Sequence, residues 1–290
     1  MVVRRVKEII QRALEEDIGK EDITTLYTIP SFLRVKAKLI AKEGLILCGI
    51  DIFRQVFKAL DRNIKFKSLK KDGSKVKKGE VLAVLEGKAS AILKGERTAL
   101  NFLSHLSGIA SETHRFLNKV KKYKVKILDT RKTIPGLRSL EKYAVRVGGG
   151  LNHRQGLWDG IIIKENHLLS LGIKGRNKFD FLKLAGLIKN IKKAVGKKVE
   201  VEVENLREFK YVCECRPDII LLDNFSPQQV KRAVLFRNEY FPEIKLEVSG
   251  GIDESNIIKF ARFQVDFISL GVLTHSSPAK DISLEVIAFR

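Results

Sequence analysis

The pattern of hydrophobic and polar positions changes between residues 110 and 120, so the chain has two parts with different patterns. In the first part, apolar positions three and four residues apart predict helices, and strict alternation predicts strands. The short polar run 22–25 is interpreted as a turn. The predicted elements are helices over 4–17, 50–60 and 94–120, and strands over 34–42, 63–67 and 81–85.

In the second part, short apolar strands alternate with helical patterns such as 181–195 and 254–261. The predicted strands are 125–128, 160–163, 199–204, 219–222, 246–248 and 267–269. Each is followed by a polar or glycine cluster. This alternation predicts parallel pairing through right-handed crossovers. An α/β barrel, with its chemistry at the carboxyl ends of the strands, is favoured. An open doubly wound sheet is the competitor, but no Gly-x-Gly-x-x-Gly run follows a first strand.

The change of pattern sets the expected domains. Residues 1–115 form an N-terminal α/β domain and residues 116–275 form the barrel, while the segment 276–290 returns to the first domain. A chain of 290 residues is long enough for two such domains.

The charge of the chain is strongly basic, since 55 Lys and Arg against 34 Asp and Glu give 55 − 34 = +21. A nucleic-acid surface and a small polyanionic substrate both fit this excess. Because the basic residues are spread over the whole chain rather than clustered, the small substrate is favoured. No apolar run approaches the roughly 18 residues of a membrane span. The basic N-terminus leads into an amphipathic pattern rather than a signal peptide, and three sparse cysteines favour a reducing, cytoplasmic location.

Two runs place cations directly after predicted strands. Arg131 and Lys132 follow the strand 125–128, and the turn at Pro135-Gly136 would hold them near its end. The planar guanidinium of the arginine and the ammonium of the lysine together suit an anionic ligand. A solvated loop explains the run about equally well. Next, Gly148-Gly149-Gly150 precedes His153 and Arg154, and three glycines allow the backbone to approach a ligand closely.

A third cation, Lys164, ends the strand 160–163, where burial is costly unless an anion is present. His167 is interpreted as part of a helix start rather than as a ligand. The alternating Glu200, Glu202 and Glu204 are expected on one strand face, either in a site or at a solvent-facing edge. Together with Asp223, such acids suit ribose hydroxyls and hydrated Mg²⁺.

Glycine-rich strand ends predict a phosphate site late in the barrel. Ser249-Gly250-Gly251 and Leu270-Gly271-Val272 expose backbone N–H groups at two neighbouring strand ends. Each alone is an ordinary turn, but the pair is more specific.

These motifs together resemble the quinolinate phosphoribosyltransferase family. The resemblance rests on 129–138 (DTRKTIPGLR), 148–167 (GGGLNHRQGLWDGIIIKENH), 222–225 (LDNF), 247–252 (EVSGGI) and 96–101 (ERTALN). It implies a type II phosphoribosyltransferase, an N-terminal α/β sandwich with an incomplete α/β barrel. It further implies a homodimer with shared active sites, which can assemble further, and transfer from phosphoribosyl pyrophosphate to quinolinate. The implied products are nicotinate mononucleotide, pyrophosphate and CO₂, a step of NAD synthesis assisted by Mg²⁺.

The resemblance also implies roles for individual residues. Arg131, Arg154 and Lys164 would hold the quinolinate carboxylates, with Thr130 and His153 alongside. Lys132 and Arg97 would face the pyrophosphate, Arg97 from the neighbouring subunit. Glu202 and Asp223 would bind ribose and Mg²⁺ through water and the donor, with Glu204 as the fallback, and Lys132, Lys164, Glu202 and Asp223 form the expected catalytic set. The 5-phosphate would lie on Ser249, Gly250, Gly251, Leu270, Gly271 and Val272.

Two alternatives remain open from the sequence. One is a related phosphoribosyltransferase with another acid or base, such as the molybdenum-associated homologues. The other is a basic nucleic-acid-binding protein without enzymatic activity, whose affinity would fall steeply with salt.

Overall fold

The computed structural model describes residues 2–175 and 178–289, with side chains from residue 6 onward. Met1 and Arg290, the outer ends of the expected domains, lie outside the described residues. The helices are α1 Val2–Ile18, α2 Ile23–Thr28, α3 Ile50–Leu60, α4 Ala89–Val120, α5 Arg138–Val147, α6 Glu165–Ser170, α7 Phe181–Val195, α8 Leu206–Glu214, α9 Pro227–Tyr240, α10 Ile257–Ala261 and α11 Val272–His275. The strands are β1 Arg34–Ala41, β2 Leu45–Ile46, β3 Lys65–Ser68, β4 Lys75–Val76, β5 Val81–Lys88, β6 Lys126–Leu128, β7 Ile161–Ile163, β8 Val199–Val203, β9 Ile219–Asp223, β10 Lys245–Ser249, β11 Phe267–Ser269 and β12 Ile282–Phe289.

The chain forms two compact units, and each is discontinuous in sequence. The first unit takes the chain up to His114, the segment Thr133–Gly149 and the chain from Leu273 onward. The second unit takes Arg115–Lys132 and Gly150–Val272. The domain expected over 116–275 is therefore interrupted, since α5 clusters with the first unit.

Close packing explains why the segment containing α5 joins the first unit. Leu140, Ala144 and Val145 form a buried stripe on α5. At the end of this helix a Cβ on Gly148 would lie 2.5 Å from the carbonyl oxygen of Ala110, so only glycine permits this approach.

The first unit is built on a four-stranded antiparallel sheet in the order β12-β1-β5-β3. In β1 the expected alternation holds, and Val35, Ala37 and Leu39 are buried. The run 22–25 is not the expected turn, because Asp22 accepts a hydrogen bond from the Thr25 N–H (3.0 Å) and begins α2.

The second unit is built on a six-stranded parallel sheet in the order β6-β11-β10-β9-β8-β7. From β7 to β11 the neighbours follow chain order, and β6 then lies beside β11. A doubly wound sheet would instead reverse its order at a middle strand. This strand order is that of a barrel in which one pairing, between β6 and β7, is missing. The second unit is therefore an incomplete barrel.

No helix among residues 2–175 and 178–289 is long and apolar enough to cross a membrane. The three cysteines are free and buried, and burial raises the pKa of each thiol.

Candidate active site

All six parallel strands of the second unit contribute to one cavity of about 410 Å³. Most of its residues lie at or just beyond the carboxyl ends of the strands, the rim where barrel enzymes carry their chemistry. The lining residues are Thr130, Arg131, Lys132, His153, Arg154, Ile162, Lys164, Glu202, Leu221, Asp223, Glu247, Ser249 and Ser269.

A buried carboxylate joins the two cationic runs. Asp129 is fully buried directly after β6, and its Oδ1 accepts the backbone N–H of His153 (2.9 Å). Its Oδ2 accepts the side-chain amide of Asn152 (2.5 Å). These bonds hold the loop 151–154 against the end of β6, so Arg154 and Arg131 enter one cavity. Asp129 belongs to the motif 129–138 but has no predicted role, and an acid directly after a buried strand is the available signal.

Arg154 is a partly buried cation that has another cation near it. Its Nη1 donates to the carbonyl oxygen of Gly160 (3.0 Å), while its Nε is buried without a hydrogen-bond partner. Burial chiefly lowers the pKa of Arg154, the charge of Arg131 lowers it further, and Glu200 opposes both effects. An anionic ligand would relieve this unfavourable environment.

Lys164 follows β7 at the start of α6. Its backbone N–H donates to Nδ1 of His167 (3.0 Å), which confirms the interpretation of His167 as part of a helix start. The Lys164 Nζ is ion-paired with Glu202, whose side chain is 14% exposed. The cation from β7 and the acid from β8 thus meet inside the cavity.

The three alternating glutamates have three different environments. Glu202 lines the cavity, whereas Glu200 is buried below it, beside His153. Glu204 lies past the end of β8 and pairs with Lys174 (2.6 Å). Lys174 also pairs with Glu208 (3.0 Å), so Glu204 belongs to a surface cluster. Sequence alternation alone did not separate these environments, because the strand ends at Val203.

Two acids and a histidine form the floor of the cavity. The Nε2 atom of His153 lies 3.2 Å from Glu200 Oε2 and 3.5 Å from Glu247 Oε1. Its Nδ1 accepts the backbone N–H of Arg154 (2.7 Å), which places the ring proton on Nε2, facing the acids. Sequence analysis grouped Glu200 with Glu202 and Glu204 as possible ribose and Mg²⁺ ligands. It assigned no role to Glu247, because in a Lys- and Glu-rich chain a strand glutamate usually faces solvent.

Glu247 is the most strongly perturbed acid of this floor. Its side chain is 1% exposed, and its Oε1 has no hydrogen-bond partner. Burial raises the pKa of Glu247 to about 7, and the neighbouring Glu200 charge adds to the effect. His153, the Ser269 hydroxyl and the Lys164 charge act in the opposite direction. Glu247 therefore holds a proton near neutral pH.

The expected phosphate residues fall only partly in the cavity. Ser249 lines it. Gly250 follows with φ +91°, and a Cβ there would lie 2.2 Å from Asn224 Oδ1, so glycine is required. Gly251 also has a positive φ, whereas the Leu270 N–H already donates to the carbonyl oxygen of Leu128 (2.9 Å). Gly271 and Val272 follow β11 at the start of α11.

Arg97 lies in the first unit, on α4, and its side chain is exposed. Its charge partly opposes the effect of burial, which raises the pKa of the neighbouring Glu96.

The chain matches two family descriptions over nearly its whole length. Residues 22–107 match the N-terminal domain of quinolinate phosphoribosyl transferase, and residues 109–285 match its C-terminal domain.

Individual relatives agree with this match. A protein of Methanocaldococcus jannaschii, named probable nicotinate-nucleotide pyrophosphorylase [carboxylating], is 42% identical, with 98% of each chain covered. The Mycobacterium leprae protein, named nicotinate-nucleotide pyrophosphorylase [carboxylating], is 37% identical over 97% of this chain and 96% of its own. The solved nicotinate-nucleotide pyrophosphorylase of Francisella tularensis superposes with a TM-score of 0.88 at 40% identity, covering 98% of this chain and 96% of that one. This chain therefore belongs to the quinolinate phosphoribosyl transferase family.

Proposed function

We propose that the chain transfers the phosphoribosyl group of phosphoribosyl pyrophosphate to quinolinate and releases CO₂, making nicotinate mononucleotide and pyrophosphate for NAD synthesis. This is the activity of a nicotinate-nucleotide pyrophosphorylase (carboxylating), the name its relatives carry. The observation that carries the proposal is the convergence of Arg131, Arg154 and Lys164 on one cavity of the barrel unit.

The cationic side of the cavity suits a dicarboxylate. Arg131 and Arg154 each offer a planar fork that can match a carboxylate with two hydrogen bonds. Lys164 adds a point charge from the strand on the other side. A monocarboxylate would leave a desolvated cation without its counter-charge, which a buried site penalises strongly.

Two acids of the same cavity suit the sugar and the donor. Glu202 and Asp223 present carboxylate oxygens, which accept hydrogen bonds from hydroxyl groups and are ligands that Mg²⁺ prefers. We propose that both acids would hold Mg²⁺ through water and the donor substrate, where it would supply positive charge for the leaving pyrophosphate. Ser249 and the positive-φ turn after it would receive the 5-phosphate.

The chemistry assigned to the chain is positioning and charge stabilisation. Holding the ring nitrogen in line with C1 of the ribose turns a two-substrate reaction into one within a complex. Lys132 would face the departing pyrophosphate as charge develops on it. Glu202 and Asp223 would stabilise the positive charge that forms at C1 as the bond between C1 and the pyrophosphate oxygen lengthens.

Product analysis tests the proposal. The purified protein, incubated with quinolinate, phosphoribosyl pyrophosphate and Mg²⁺, should form nicotinate mononucleotide, pyrophosphate and CO₂ in equal amounts. Nicotinate in place of quinolinate should lower kcat/KM by about 1000-fold or more, because the 2-carboxylate partners stay unpaired. Equal kcat/KM for the two acids would reject the dicarboxylate assignment, and turnover only with another acid would indicate a different phosphoribosyltransferase.

The assembly and location are further parts of the proposal. We propose a homodimer, able to assemble further, in which Arg97 enters the partner's cavity. The exposed position of Arg97 on α4 supports this role. We also propose a cytoplasmic location, which three buried and unbridged cysteines support.

A further inference from the structure

Decarboxylation of quinolinate, which belongs to the proposed function, creates a demand for one proton. When the bond between C2 of the pyridine ring and its carboxyl carbon breaks, CO₂ leaves and the electron pair stays on C2. Nicotinate mononucleotide carries hydrogen at this carbon, so C2 must receive a proton. A bound substrate largely excludes water from such a cavity, which favours a side chain as the proton donor.

Few described side chains of the cavity can donate this proton readily. Arginine is too weak an acid, with a pKa above about 12. Lys164 is tied in its ion pair with Glu202. The Nε2 proton of His153 points to Glu200 and Glu247 rather than into the open cavity.

Glu247 differs from these groups in its geometry. It lies on β10, two residues before Ser249, and both side chains reach the cavity from the same face of the strand. The carboxyl group is buried among Glu200 of β8, Ser269 of β11, His153 and the Lys164 charge. Its Oε1 has no hydrogen-bond partner and lies 3.5 Å from His153 Nε2, and the residue lines the cavity.

We propose that Glu247 is the general acid that protonates C2 of the pyridine ring after CO₂ has left. The O–H bond of its carboxyl group breaks, the C2–H bond forms with the electron pair left by decarboxylation, and Glu247 becomes a carboxylate. Solvent returns the proton once the product has left. The raised pKa of Glu247 supports this role, because an acid that titrates near the working pH donates most effectively.

The test separates the two halves of the reaction in a single turnover. Quinolinate labelled in its 2-carboxyl group, phosphoribosyl pyrophosphate and Mg²⁺ are mixed with excess enzyme, and pyrophosphate and labelled CO₂ are followed. In Glu247→Gln, pyrophosphate should form at nearly the wild-type rate. Net CO₂ release should slow by about 100-fold or more, because CO₂ still in the cavity can rejoin C2 until this carbon is protonated. Quinolinate mononucleotide should then accumulate, detected by its mass.

Two further variants complete the design. Glu247→Asp keeps the acid but withdraws it by one methylene, so its CO₂ release should lie between those of the wild type and the Gln variant. Glu204→Gln makes the same chemical change outside the cavity and should leave both rates at wild-type values. Thermal unfolding of each variant verifies that it is folded.

The outcomes are distinct. Equal slowing of pyrophosphate and CO₂ in Glu247→Gln, or unchanged CO₂ release, would overturn the role of Glu247 as the acid. If Glu247→Gln does not fold, the ratio of the two rates in Glu247→Asp decides, and a wild-type ratio overturns the proposal. Wild-type protein that releases no pyrophosphate with quinolinate would instead reject the proposed function itself.

Discussion

The cationic and acidic sides of the cavity are built in different ways. The cations follow the strands, in the runs after β6 and β7 and in the loop 151–154. Two of the acids, Glu200 and Glu247, are inside strands and almost fully buried. Loop cations can adjust to a ligand, whereas strand acids are fixed by the sheet that carries them.

This difference suggests a division of labour. Exposed or half-exposed cations suit the capture of free anionic substrates, because they are hydrated and accessible before binding. The protonation of the buried Glu247 is set by the fold, through burial and the neighbouring Glu200 charge. The cations should therefore control binding, and Glu247 should control the fate of the bound substrate.

The largest expected effect tests the proposed entry of Arg97 into a partner's cavity. Arg97→Ala and Lys164→Ala should each be nearly inactive as pure dimers. Mixed and re-formed, about half of the dimers are hybrids with one intact site, so roughly a quarter of wild-type activity should return. Activity after mixing is compared with each parent alone.

A control makes this result interpretable. Subunit exchange is verified by native mass spectrometry with one parent isotopically labelled. Activity that does not recover despite exchange would mean that Arg97 and Lys164 serve the same subunit's site.

A second, smaller effect should distinguish two neighbouring acids. Glu202→Gln removes the cavity partner of Lys164 and should lower kcat by about 100-fold, the size of a lost electrostatic contact in an active site. Glu204→Gln changes only the cluster around Lys174 and should leave kcat within about twofold, as surface changes usually do. Steady-state kinetics across Mg²⁺ concentrations measure both. Similar losses in the two variants would contradict the separation seen at the end of β8.

A third effect concerns the pH dependence of stability rather than turnover. The pKa of Glu247 is raised from 4.5 to about 7, so the folded protein holds this proton more tightly than the unfolded chain. Stability from this group is present at about pH 4.5 and is lost as pH rises to about 7. Glu247→Gln lacks this loss. The difference between its free energy of unfolding and that of the wild type should therefore rise by on the order of 3 kcal/mol between about pH 4.5 and about pH 8. Urea unfolding at both pH values measures it, and parallel pH dependence of the two proteins would contradict the assignment.

The sequence predicted the strands of the barrel and the cationic runs because both have local signals. A short apolar run that ends in Asp129, or in Lys164, predicts both a strand and the position of its carboxyl end. The segment containing α5 was harder, since its membership of the first unit depends on the approach of Gly148 to Ala110. The role of Glu247 was hidden for the same reason, because its neighbours His153 and Glu200 are distant in sequence and meet only in the folded sheet.

The pairing of β12 with β1 has a consequence for synthesis on the ribosome. Val35 to Ala41 pair with residues 282–289, so one edge of the first unit's sheet cannot form until those residues have been translated. Until then β1 presents unpaired N–H and C=O groups, which can recruit another nascent strand. The barrel residues emerge in this interval and can fold before the earlier-made sheet is complete. Chaperone dependence during translation should therefore track the N-terminal sheet rather than the catalytic barrel.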